Sequence, residues 1–172
     1  PALHTLDTIL ISVDCSFKDL ESSDYVVMQV WGRLGAKKYL LDQVRKKMSF
    51  PETVKQLKRL VTKWPQARAK LIEDKANGSA VIQTIKDTID GVIAVEPQGG
   101  KVARAQAVSY TIEAGDVYLP NKEMAYWVDD FVEECAKFPK GSNDDQVDAM
   151  TQALTRLIEE EFQPWATHVG WL

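Results

Sequence analysis

Residues 8–14 read Thr-Ile-Leu-Ile-Ser-Val-Asp, and this stretch decides how the fold is interpreted. β-Branched and apolar side chains fill it, which is typical of a buried strand, and it ends in the acid Asp14. Strand-like segments follow at residues 24–34 and 37–44, with Gly35-Ala36 between them as a tight turn. Successive strands with such short connections predict an antiparallel meander.

After the meander, helical and strand-like segments alternate along the chain. The predicted helices cover residues 51–64, 79–89, 101–114, 124–138 and 144–161, and the further strands cover residues 69–74, 92–95 and 116–119. This order predicts an α/β fold with a mixed central β-sheet. Its first strands are expected to be antiparallel, and helices are expected to flank both faces.

Length and composition are those of one soluble domain. The chain has 172 residues, a net charge of -4 and 45% apolar residues, so one compact core is expected. We expect a single domain over residues 1–172, with a core at about 8–160 and an irregular tail at 162–172. The sequence contains no apolar run of about 20 residues and no signal-peptide pattern, which predicts a soluble, intracellular protein without a membrane span.

Acidic residues gather at three points of the predicted fold, namely the end of the first strand, the end of the fourth strand and the start of the last helix. They are Asp14; Glu73 and Asp74; and Asp144, Asp145 and Asp148. Such hard oxygen ligands suit Mg²⁺ or Mn²⁺, and two divalent ions would clamp a phosphodiester for hydrolysis. Any one of these acids also fits a turn or a helix N-terminus, so the metal site is predicted from their combination.

A resemblance to a known family rests on five motifs in order. They are the strand ending in Asp14, IEDKANG at 72–78, EPQGGKVARAQAV at 96–108, AGDVYLP at 114–120 and NDDQVDAMTQAL at 143–154. Together they resemble the C-terminal nuclease domain of tailed-phage terminase large subunits over residues 8–158. The resemblance implies an RNase H-like, RuvC-like fold with a carboxylate cluster that binds two divalent metal ions.

Carried over by position, the family's catalytic acids fall on Asp14, Asp74, Asp145 and Asp148. Asp74 fits the terminase D-x-x-x-G pattern, whereas the resolvase pattern favours Glu73. In the last motif Asp144 is an alternative to Asp145 and Asp148. The metal-ligand candidates are therefore Asp14, Glu73, Asp74, Asp144, Asp145 and Asp148.

Three basic residues are candidates for binding the DNA backbone. Lys101 and Arg104 match a basic pair that terminase nuclease domains carry before a helix, and Gly99-Gly100 lets phosphate approach closely. Lys75 is a further candidate. For each of them a solvated surface position is the alternative interpretation.

The implied function is a metal-dependent endodeoxyribonuclease that cuts concatemeric double-stranded viral DNA in the host cytoplasm. The implied partners are DNA, an ATPase domain of the same full-length chain, the portal and the small terminase subunit. This chain lacks the G-x-x-x-x-G-K-[ST] phosphate-binding loop, so the ATPase domain is expected to be absent from it. The alternatives are a RuvC-like resolvase or other RNase H-like nuclease, and a non-catalytic domain that docks nucleic acid or protein.

Overall fold

The first strand, β1 (Thr8–Asp14), pairs along both of its edges. The computed structural model of the chain describes residues 1–15, 25–75 and 77–162. Strands β2 (Tyr25–Leu34) and β3 (Lys37–Lys47) follow β1 as an antiparallel meander, which confirms the predicted start of the fold.

On its other edge β1 pairs in parallel with β4 (Ala69–Glu73), which in turn pairs in parallel with β5 (Val92–Val95). The short strand β6 (Val117–Tyr118) closes the far edge beside β3. The six-stranded order is β5-β4-β1-β2-β3-β6, a mixed sheet as predicted. Because β1 and β4 are parallel neighbours, their C-terminal residues Asp14 and Glu73 come to the same end of the sheet.

Five helices connect or follow the strands within the described ranges. They are α1 (Phe50–Lys63), α2 (Asn77–Ile85), α3 (Lys101–Glu113), α4 (Val128–Lys137) and α5 (Asp145–Phe162). The start of α1 is encoded locally, since Ser49 and Glu52 form a capping box and Pro51 occupies the first turn. None of the helices in the described ranges is both long and apolar enough to cross a membrane.

Alternate residues of β1 point to opposite faces of the sheet and build two separate cores. Ile9, Ile11 and Val13 pack with α1 and α2 on one face. Leu10 packs on the other face with residues of α3, α4 and α5. Helices therefore cover both faces, as the sequence predicts.

Two predicted helix starts differ from the structure by more than one residue. Helix α4 begins at Val128 rather than at residue 124, because the Asn121 side chain accepts a hydrogen bond from the Glu123 amide and holds residues 121–127 in turns. Met124 and Tyr126 are consequently 88% and 92% exposed. Helix α2 begins at Asn77, two residues before the predicted start at residue 79.

The predicted tail at 162–172 lies outside the described residues beyond Phe162, as does the predicted first residue of β2.

A buried polar layer fixes α5 across the middle of the sheet. The Ser12 hydroxyl donates to the Ala149 carbonyl at 2.7 Å, and the Gln152 amide donates to the Ser12 hydroxyl at 2.9 Å. The side-chain amide of Gln29 donates to the side-chain oxygen of Gln43 at 2.8 Å. Because these groups lie in the core, shifting α5 would leave them unpaired, so the layer sets where the first turn of α5 lies.

Candidate metal and DNA site

Asp14 is the last residue of β1 and only 6% exposed. It lies opposite Val27 on β2, which lies opposite Arg45 on β3. Directly opposed residues share a face of the sheet, so Asp14 and Arg45 are on the same face. That face is the one that α5 covers, since Ser12 contacts α5 and is two residues before Asp14.

The structure separates the adjacent acids Glu73 and Asp74. Leu71 belongs to the core under α5, and Glu73, two residues later on β4, faces the same side. Glu73 lines a groove on this side together with Asp14. The Asp74 carboxylate is exposed outside the groove and accepts a hydrogen bond from the Ser79 hydroxyl of α2 at 2.8 Å.

The groove has a volume of about 550 Å³ and runs between the ends of β1, β4 and β5 and the helices α3 and α5. Three of the predicted acids line it, namely Asp14, Glu73 and Asp148. Burial is the largest cause that raises the pKa of Asp148. A buried carboxylate in acidic surroundings is stabilised by a cation, so this end of the groove favours positive charge.

Asp145 lies in the same turn of α5 but has a different environment. Its carboxylate accepts a hydrogen bond from Arg45 Nε at 2.6 Å, and Arg45 Nη2 lies 3.7 Å from the Glu134 carboxylate. Burial alone would lower the pKa of Arg45, but the hydrogen bond and the charge of Asp145 raise it. Asp145 does not line the groove with Asp14.

Glu134 of α4 contacts the first turn of α5. One of its oxygens accepts the Val147 amide hydrogen at 2.7 Å, and the other accepts from the Gln146 side chain at 3.1 Å. The first amides of a helix have no partner within the helix, so a carboxylate bound there fixes the helix start. Burial raises the pKa of this carboxyl group.

Lys101 is the first residue of α3, and its ammonium group bridges two acids of α5. Nζ lies 2.8 Å from the Asp144 carboxylate and 2.7 Å from that of Asp148. Burial alone would lower the pKa of Lys101, but these two hydrogen bonds raise it. The predicted DNA-binding lysine thus contacts two of the predicted metal ligands.

The other basic candidates differ in position. Arg104 lines the groove, and its guanidinium group donates to the Gly99 carbonyl. Gly99 has a φ of +75°, which a glycine adopts without strain. Lys75 is exposed after β4 and does not line the groove. Lys101 and Arg104 are therefore beside the acids, and Lys75 is apart from them.

The donor set fits a hard divalent cation in chemistry, since Asp14, Glu73 and Asp148 line the same groove with carboxylate side chains. In residues 1–15, 25–75 and 77–162, however, no group of three or more Asp, Glu, His or Cys side chains is arranged to hold a metal ion in this conformation. Binding would therefore need the acids to approach one another. Carboxylates repel at close range, so a cation is required to bring them together.

Sequence reasoning missed the support of the site, namely Arg45, Glu134 and Gln146. Arg45 stands in the run Arg45-Lys46-Lys47, and Glu134 stands next to Glu133, so both look like ordinary surface charges. No local pattern distinguishes them. Their role follows from contacts between separate elements: Arg45 of β3 contacts Asp145, 100 residues later, and Glu134 of α4 contacts Gln146 of α5.

The Terminase RNaseH-like domain family model matches residues 11–157. The chain belongs to this family. Membership supports a nuclease role in phage DNA packaging, as the sequence motifs predict. No match was found among curated proteins.

Solved structures of terminases share the fold at low sequence identity. The large terminase nuclease from thermophilic phage G20c with bound zinc has 17% identity and a TM-score of 0.63, covering 86% of this chain and 80% of that chain. The nuclease domain from Thermus phage P74-26 has 15% identity and a TM-score of 0.63, covering 85% and 77%. These similarities confirm the RNase H-like fold.

A large terminase from another thermophilic bacteriophage has 12% identity and a TM-score of 0.69. The similarity covers 89% of this chain but 40% of that one. The G20c nuclease has also been solved with bound magnesium, at 16% identity and a TM-score of 0.64, covering 86% of this chain and 80% of that chain. The G20c nuclease has thus been solved both with bound zinc and with bound magnesium.

Proposed function

We propose that the chain is a metal-dependent endonuclease that cuts concatemeric double-stranded viral DNA during genome packaging. The observation that carries the proposal is the placement of Asp14, Glu73 and Asp148 along one groove in a chain of the terminase family. The acids come from β1, β4 and α5, which are far apart in sequence. Their placement along one groove is therefore a property of the fold.

Asp14, Glu73 and Asp148 are the proposed ligands of two Mg²⁺ or Mn²⁺ ions, and Asp144 lies next to them at the start of α5. When bound, such ions supply an activated water and stabilise the charge on the phosphate and the leaving oxygen. The sequence predictions Asp74 and Asp145 are not in our proposed ligand set. Neither residue lines the groove, and their carboxylates are paired with Ser79 and Arg45.

The chain's own residues have three tasks in this proposal. The buried Asp14 offers a carboxylate on a rigid strand, so its position costs little reorganisation. The polar layer of Ser12 and Gln152 holds α5 at a fixed height above the strand. Arg104 and Lys101, both beside the groove, are suited to hold a DNA phosphate without reading sequence.

A protein nucleophile is not part of the proposal. Cys15 directly follows Asp14, but its thiol is buried, and burial together with the charge of Asp14 raises its pKa. A neutral thiol is a poor nucleophile, so water is the proposed attacking group.

The wider context is also proposed from the family. Cleavage would act with an ATPase domain of the full-length chain, the portal and the small terminase subunit, in the host cytoplasm. The similarity to one large terminase covers only 40% of that longer chain. This fits a nuclease domain that works within a longer protein.

The experiment is cleavage of supercoiled plasmid by the purified chain in Mn²⁺, Mg²⁺ or EDTA. We expect nicking and linearisation with either metal, none in EDTA, and none with Asp14→Asn. Asp87→Asn is the matched control, because Asp87 is an exposed aspartate that does not line the groove. A four-way junction serves as a second substrate.

Cleavage that persists in EDTA or in Asp14→Asn would contradict the proposal. Cutting of the junction far above that of linear duplex would favour a resolvase. If no metal supports cleavage and calorimetry detects no metal binding, the chain is a non-catalytic docking domain.

A further inference from the structure

Lys101 is a cation placed between Asp148, a proposed metal ligand, and the neighbouring Asp144. Its Nζ is within 2.8 Å of both the Asp144 and the Asp148 carboxylates. One positive charge shared by two carboxylates at hydrogen-bond distance resembles a bound cation in electrostatic terms. The side chain is 47% exposed, so water reaches the ion pairs.

The position of Lys101 in its own helix does not explain this contact. A lysine in the first turn of a helix lies at the positive end of the helix dipole, which disfavours it. Asp144 and Asp148, at the start of α5, offset that cost. Lys101 is therefore held by the acids of α5 rather than by α3.

The ion pairs of Lys101 can be exchanged, in contrast to those of Arg45. An ammonium group is a point charge on a flexible stem, whereas a guanidinium group binds a carboxylate through a rigid planar fork. The Lys101 side chain is 47% exposed, so its ammonium group can move away from the acids into solvent.

We propose that Lys101 takes the place of a divalent cation when no metal is bound, and that it leaves Asp144 and Asp148 when the metal binds. This inference rests on the proposed metal site, and it adds that Lys101 competes with the metal ion for the carboxylates. The exchange replaces one positive charge by two, which lets a third carboxylate approach. It accounts for Asp144 and Asp148 sharing Lys101, while the described residues form no group of three or more acids arranged to hold a metal ion.

Displacement also releases the ammonium group beside the groove, where Arg104 already lies. A lysine freed in this way is available to a DNA phosphate. Metal loading and DNA binding would then be coupled through one side chain.

The test measures Mn²⁺ binding by calorimetry in the wild type and in Lys101→Met, which keeps the length of the side chain and removes its charge. We expect about fivefold to tenfold tighter binding in the variant, since two partly exposed ion pairs no longer compete. Lys122→Met is the matched control, because Lys122 is exposed and does not line the groove. Circular dichroism confirms that each variant is folded.

A second readout follows Lys101 directly. Acetic anhydride labels accessible amines, and mass spectrometry resolves each lysine. We expect labelling of Lys101 to rise when Mn²⁺ is added, while labelling of Lys122 stays the same. Asp148→Asn should raise the labelling of Lys101 without any metal.

The outcomes separate this inference from the proposed function. The displacement of Lys101 is wrong, and the proposed metal site is retained, in either of two outcomes. In the first, the wild type binds Mn²⁺ and Lys101→Met binds it no more tightly. In the second, the wild type binds Mn²⁺ and the labelling of Lys101 does not change when Mn²⁺ is added. If neither protein binds Mn²⁺, the proposed metal site fails, and the displacement fails with it.

Discussion

Asp145 and Asp148 occupy the same first turn of α5 and are almost equally buried, with side chains 9% and 14% exposed. They differ in their partners. Asp145 is held by the guanidinium of Arg45, and Asp148 by the ammonium of Lys101. Burial alone therefore does not distinguish the two acids, whereas the kind of cation that neutralises each of them does.

The two acids also face different parts of the sheet. Asp145 lies over β3 within a closed group that includes Glu134 and Arg45. Asp148 lies in the groove with Asp14 and Glu73. We infer that the first group fixes the start of α5 so that the second can change its partner.

The largest expected effect is on DNA cleavage and comes from removing the charge of Asp148, in comparison with removing that of Asp145. Asp148→Asn should lower metal-dependent plasmid cleavage by about 100-fold or more, because a ligand to the cation is lost, equivalent to roughly 3 kcal/mol of barrier. Asp145→Asn should lower stability and retain more of the cleavage activity. Initial nicking rates at a temperature where both variants are folded measure this difference. Equal loss of activity in both variants would remove the distinction between the two acids.

The next effect is on stability. Arg45→Met leaves Asp145 and Glu134 without their cation, and the free energy of unfolding should fall by about 3 kcal/mol. Urea denaturation measures it. Arg45→Lys is the control, since it restores the charge without the fork and should recover part of the loss. A loss below about 0.5 kcal/mol in Arg45→Met would mean that this group does not support α5.

The smallest effect is a pH dependence. Burial raises the pKa of Glu134, so the folded protein binds this proton more tightly than the unfolded chain. The contribution of Glu134 to stability is then greatest below its unfolded-state pKa and is lost as pH rises through the folded-state pKa. Stability of the wild type relative to Glu134→Gln should therefore increase as pH falls from 7 towards 4.

Glu133 provides a control of opposite sign. Lys137, four residues later, lowers the pKa of Glu133 by a hydrogen bond and by its charge. That stabilisation is present above the unfolded-state pKa and is lost as pH falls through the folded-state pKa. Denaturation curves at several pH values should show opposite slopes for Glu134→Gln and Glu133→Gln. Parallel slopes would contradict the assigned burial of Glu134.

The sequence predicted the fold well because its signals are local. The β-branched run at 8–14 and the Gly35 turn each act within a few residues. The α4 boundary was wrong because a turn around Asn121 overrides the helical spacing of the residues after it. That turn depends on one side-chain hydrogen bond, which periodicity does not reveal.

The candidate site was less accessible to sequence reasoning. Alternation along β4 places Glu73 beside Leu71 on the α5 face, but only the pairing of β4 with β1 shows that this is also the face of Asp14. Motif spacing favours Asp74. In the structure its carboxylate accepts a hydrogen bond from the Ser79 hydroxyl. The partners of Asp145 and Asp148 come from β3 and α3, so no pattern within α5 tells the two acids apart.

The most direct test of the central claim is a crystal structure of the chain grown with Mn²⁺, in which anomalous scattering locates the ions. We expect Mn²⁺ bonded to Asp14 and Asp148, with Asp145 still paired to Arg45 and Lys101 withdrawn from the acids. Ions bound instead at Asp74 or Asp145, or a groove that stays without metal while Lys101 keeps both ion pairs, would contradict the account.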